Sequence, residues 1–124
     1  MRRVFVVGFI LMLASFVSAV GKDDTVKMNG YLIDNACSGA HSKDADFSDR
    51  VKRHSKSCAL MPGCVKSGYS ILVDDKLYKL DEAGNKMVAD FLKKTKLEKG
   101  LEVSVEGTIE GDTLHVKTLS EKTE

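Results

Sequence analysis

The chain contains no Cys-x-x-Cys pair, which removes the usual frame of a thiol oxidoreductase, and no Cys-x-x-Cys-His, which removes covalent haem. Internal repeats and low-complexity tracts are absent, and 124 residues make one domain at most. No basic excess is available for phosphate chains. Removing residues 1–19 takes two arginines and no acid from 19 basic and 18 acidic residues, leaving a net charge of −1. Nucleic acid is therefore not an expected partner. A comfortable membrane span is also missing, since the uncharged run Val4–Phe16 would cover about 20 Å as a helix against a hydrocarbon core of roughly 30 Å. Finally, no cysteine stands at the small residues Val17-Ser18-Ala19, so nothing suggests a lipid-anchored form.

What the first segment does have is the layout of a secretory signal peptide: basic Arg2-Arg3, the apolar run, then small residues with cleavage expected after Ala19. Extending the run through Val20 and Gly21 brings it nearer to spanning length. An uncleaved anchor is thus the alternative, and would be the chain's only membrane contact. The expected location is periplasmic or extracellular. In that oxidising setting three cysteines are an odd count, leaving one thiol over unless a metal, a partner or a small molecule uses it.

After a polar leader at residues 20–25, Val26–Ile33 alternates like a strand, with Gly30 as a bulge or bend and Asp34-Asn35 as a turn that ends it. Residues 35–67 then break the pattern. Within them Phe47 and Val51, four apart, suggest a short helix on a core, capped by Ser42 or Asp44. A second short helix from Ser55 or Ser57 would carry Cys58, Leu60 and Met61 and be interrupted at Pro62-Gly63. The β-pattern resumes at Tyr69–Val73, turns at Asp74-Asp75-Lys76 and returns through Leu77–Leu80. Apolar residues on both faces of the first of these strands predict a well-covered position.

Asp81 reads as a helix cap, and Met87, Val88, Phe91 and Leu92 form one apolar stripe of a helix of about three turns. From Leu101 to Glu110 apolar and polar residues alternate strictly, Gly107 marks a bend, and Gly111-Asp112 turns the chain into a last strand through Leu114 and Val116. Five strands with one helix between the third and fourth is the order of an OB-fold, a small β-barrel. The fold class is therefore mainly β with helices, the domain covering residues 26–120 with a helical insertion at 35–67 and a tail at 121–124. A core built from five strands and one helix leaves the insertion free of any packing duty, which makes function the better reason for its composition.

Chemistry concentrates in that insertion. Cys37 and His41 are four apart, as are His54 and Cys58, and residues four apart on a helix share a face. With Cys64 they make a soft-ligand inventory suited to Zn or Cu, although five candidates exceed a four-coordinate ion. The competing reading is a staple: two of Cys37, Cys58 and Cys64 pair as a disulfide, stabilising by about 3 kcal/mol in the loop-entropy model, and the domain holds an unidentified protein or small ligand without any metal. A third is a reactive thiol, favoured by His41, His54, Lys52, Arg53 and Lys56 nearby. Only such a nucleophile would make an enzyme, and no oxyanion hole or orienting third group is identifiable, so no catalytic residue is assigned.

Elsewhere the residues read as structural. His115 belongs to the wet face of the last strand. Tyr31, Tyr69 and Tyr78 lack the positive groove that base stacking requires, because Glu102, Glu106 and Glu110 line the strand faces.

Several runs also carry a resemblance: Gly30-Tyr31-Leu32-Ile33-Asp34 with Cys37 shortly after, then His54, Cys58 and Cys64, Lys66-Ser67-Gly68-Tyr69, the hairpin around Asp75, Leu80-Asp81, and Val105-Glu106-Gly107-Thr108 before a Gly-Asp turn. In these the chain resembles a group of small exported bacterial proteins of uncharacterised function. The resemblance covers nearly all of the mature chain and implies an OB-like fold in the cell envelope. It implies no activity.

Overall fold

A computed structural model describes residues 24–122. The expected signal peptide at 1–19, most of the leader and the last two residues of the tail lie outside them. Five strands are present: β1 (Val26–Asp34), β2 (Tyr69–Val73), β3 (Lys76–Leu80), β4 (Glu102–Glu110) and β5 (Thr113–Glu121). They close into a barrel in the order β1-β2-β3-β5-β4, antiparallel throughout except for β3 and β5, which run parallel. This is the expected OB-like topology. Helix α5 (Glu82–Lys94) lies between β3 and β4 and packs mainly on β5. Asp81 caps it, accepting from the Gly84 amide at 2.9 Å.

Strand alternation builds the interior. Leu32, Tyr69, Ile71, Leu80, Val103, Val105, Leu114 and Val116 point inward and meet Val88 and Leu92 of α5. The ladder slips between Glu106 and Gly107, placing the expected bend at a bulge; a side chain at Gly107 would strike the His115 carbonyl. Glu121 belongs to β5, so the strand reaches one residue into the expected tail.

The insertion folds as four short helices: α1 (Asn35–His41), α2 (Phe47–Lys52), α3 (Lys56–Ala59) and α4 (Pro62–Ser67). Several local expectations shift. Asp34 does not form a turn; it is the last residue of β1 and the N-cap of α1. Asp46, rather than Ser42 or Asp44, precedes α2, with no side-chain cap bond. Pro62 starts α4, because a proline at the first helical position has no amide to lose.

The insertion also has a packing duty. Val51 of α2 is fully buried with Ile33 and Leu72, flanked by Phe47, Tyr31 and Cys37, forming a second, smaller core on the outside of β1 and β2. Alternation sends Leu32 and Ile71 inward and Ile33 and Leu72 outward, so the outer face of these strands is apolar at Tyr31, Ile33 and Leu72 and needs a cover there. The view that five strands and a helix suffice is therefore corrected.

Candidate metal site

The site begins at the junction of β1 and α1. A strand that ends in aspartate can start a helix at once, because the carboxylate takes an orphan amide of the first turn. Asp34 Oδ1 accepts from the Cys37 amide at 2.8 Å, which fixes Cys37 beside the carboxylate that caps it. From the far end of the insertion, α4 delivers Cys64. Its position is clamped to α1 by Asn35, whose side-chain amide donates to the Ser67 carbonyl at 2.9 Å and whose backbone amide donates to the Gly68 carbonyl at 2.9 Å. Gly68 ends α4 with φ +79°, a left-handed conformation that favours glycine.

Asp34 Oδ, Cys37 Sγ and Cys64 Sγ thus lie within 4.8 Å of one another. Asp34 is completely buried, and the two thiols are half-buried. A fourth residue approaches from the segment between α2 and α3: His54 Nε2 stands 2.7 Å from Asp34 Oδ2 with only 9% of its side chain exposed. Burial by itself would push the Asp34 carboxyl up, but the Cys37 amide, His54 and the Cys64 thiol outweigh it and hold it below the ordinary carboxylate range. Asp34 is therefore ionised and can only accept, so His54 Nε2 donates the hydrogen.

The thiols respond in the opposite direction. Burial, the Asp34 charge and the hydrogen bond to it raise Cys37 to about 11. Burial, then the hydrogen bond to Asp34, likewise raises Cys64. Both sulfurs are held in the thiol form beside one carboxylate. A reactive thiolate needs a depressed pKa, so the basic groups that favoured that reading do not act on these two sulfurs as expected.

The five residues singled out by spacing are placed unequally. Cys37 and Cys64 converge. His54 reaches the same point through Asp34. Cys58 is exposed on α3 and His41, on α1, is engaged by Asp44 at 2.8 Å, yet both line a shallow hollow of about 380 Å³ that also exposes Cys37 and His54. His54 and Cys58 do not share a helix, since His54 precedes α3; folding rather than helical spacing brings them to the hollow. All three cysteines are free, none at disulfide distance from another. Asp34 is the residue that spacing of Cys and His missed. Its signal was Asp-x-x-Cys at a strand end, since an N-cap side chain sits against the third helical residue.

Compared with protein-family models, with curated proteins and with solved structures, the chain finds no match.

Proposed function

We propose that this protein is an exported binding domain that holds one soft divalent transition metal, zinc above copper, through Asp34, Cys37 and Cys64. The observation that carries the reading is the convergence of one buried carboxylate and two sulfurs within 4.8 Å, with His54 hydrogen-bonded to the carboxylate. Two thiols beside one buried carboxylate mark a place where a dication can replace two protons. In a tetrahedral zinc site such ligand atoms stand about 3.5–3.8 Å apart, from Zn–S of about 2.3 Å and Zn–O of about 2.0 Å. Small side-chain rotations reach that spacing. A carboxylate among the ligands favours zinc, because copper(I) prefers sulfur alone. His54 plays the part that outer-shell partners play in metal sites, fixing the orientation of a ligating group.

Reduced protein purified without chelator and titrated with zinc is expected to bind one ion per chain. Cys64→Ser should abolish this, and His54→Ala should weaken it by about 10–100-fold. If Cys64→Ser binds as the wild type does, the reading fails.

The same proximity supports one other reading, a Cys37–Cys64 disulfide joining α1 to α4. It would stabilise by about 3.5 kcal/mol in the loop-entropy model. One free thiol per chain in protein isolated from an oxidising compartment, with no bound metal, would favour the staple.

A further inference from the structure

The hollow beside the three ligands has a lining the metal reading does not use. Cys58 stands exposed at its rim, Cys37 and His54 form its inner wall, and Arg50, Arg53 and Lys99 surround its mouth with no carboxylate among the lining residues. Lys99 is held there because the insertion is tied to the segment before β4, through the Ser55–Lys99 bridge and the Lys56 amide donating to the Glu98 carbonyl at 2.8 Å. Arg50 is neutralised by Asp46 at 3.1 Å and Asp44 at 3.5 Å. Arg53 and Lys99 form no salt bridge among the described residues; Arg53 donates to the Asp49 carbonyl at 3.2 Å and its charge also acts on Asp46. A bare cation gains nothing from such a mouth; an anionic complex of the metal does.

Exposure falls in the same direction, from exposed Cys58, through half-buried Cys37 and Cys64, to fully buried Asp34. Resting on the metal reading above, we propose that Cys58 is the receiving ligand. It takes the metal from a small anionic chelate drawn in by Arg53 and Lys99, and passes it inward to Cys37. In the first exchange a metal–chelate bond breaks, a metal–Sγ bond to Cys58 forms, and the Cys58 proton leaves on the chelate. In the second, the metal–Cys58 bond breaks as metal–Sγ bonds to Cys37 and Cys64 form, the Cys37 proton passing to the Cys58 sulfur and the Cys64 proton to solvent. The ion keeps its charge throughout, so no oxidant or reductant is involved.

The test uses reduced full-length mature protein and zinc presented as its coloured anionic complex with pyridylazoresorcinol, with loss of colour followed in time. Cys58→Ser is expected to reach the wild-type end point of one ion per chain, several-fold more slowly. Arg53→Glu combined with Lys99→Glu is expected to slow uptake by about tenfold at low ionic strength, an effect that added salt removes. If Cys58→Ser loads at the wild-type rate, or if the charge reversal changes nothing, the proposal is overturned. A lower end point in Cys58→Ser overturns it too, since Cys58 would then be a resident ligand. Wild-type protein that takes no zinc at all brings down the metal reading itself, an outcome distinct from these.

Discussion

Barrel and insertion present two ways of holding a chain. In the barrel, β1 to β5 exchange backbone hydrogen bonds around a closed ring, and a dozen buried residues fill the middle, eleven from the strands, α5 and Leu101 and one, Ala59, from the insertion. In the insertion, four helices of four to seven residues are too short to persist by themselves, and they are fixed by a few anchors. Val51 plugs the outer face of β1 and β2, the Tyr69 hydroxyl donates to the Ala59 carbonyl at 2.7 Å, Asn35 clamps α4, and Asp34 gathers Cys37, Cys64 and His54. The difference teaches that the barrel is held mainly by a shared apolar interior and the insertion by separate anchors. Apolar area stabilises the first; polar convergence specifies the second.

Mutations can break or sharpen that contrast. The largest effect belongs to the barrel: Leu114→Ala, at a fully buried position, is expected to cost about 3 kcal/mol by urea denaturation and to destabilise the whole domain. Val51→Ala is its counterpart in the insertion. Hydrogen exchange should rise across residues 35–67 while the β4 and β5 amides stay protected. Uniform loss of protection in both variants would erase the distinction between barrel and insertion.

Next in size is Asp34→Asn. It keeps the shape but replaces an ionised acceptor of amide and imidazole hydrogens by a neutral group, at an expected cost of about 2 kcal/mol together with loss of zinc binding. Unchanged stability would show that the polar cluster holds nothing in place.

The smallest effect is expected at Tyr69, where the barrel touches the insertion. Burial, then the Asp34 charge, pushes its hydroxyl from an ordinary 10 to about 12. The unfolded chain therefore releases this proton at about pH 10 while the folded one still holds it, so the Tyr69 contribution to stability is full below pH 10 and is lost as pH rises towards 12, on top of a decline that the raised Cys37 thiol starts from about pH 9. Tyr69→Phe should cost about 1 kcal/mol near neutral pH and make the decline above about pH 10 shallower in metal-free protein, leaving the part due to the thiols. A variant that keeps the decline would assign it to another group.

Much of the barrel is legible because its signals are local. Alternation over Leu101–Glu110, the Asp81 cap and the Gly111-Asp112 turn each depend on neighbours within a few residues. Asp34 shows where such reading stops. Its polar, turn-favouring character is visible in the sequence, and it does cap a helix; its remaining partners, His54 and Cys64, arrive from 20 and 30 positions away. The apolar outer face of β2 was readable from Leu72, but not which residue would cover it.

By itself, then, the sequence determined the five strands, the helix between the third and fourth, and the concentration of sulfur and imidazole in one insertion, because periodicity and turn chemistry act over short stretches. Only the tertiary structure decided that Cys37 and Cys64 meet at a buried Asp34 while Cys58 stays at the rim of the hollow and His41 turns to Asp44. Those choices depend on how β1 pairs with β2 and on how α1 and α4 pack over them, and no spacing along the chain encodes a distance across it.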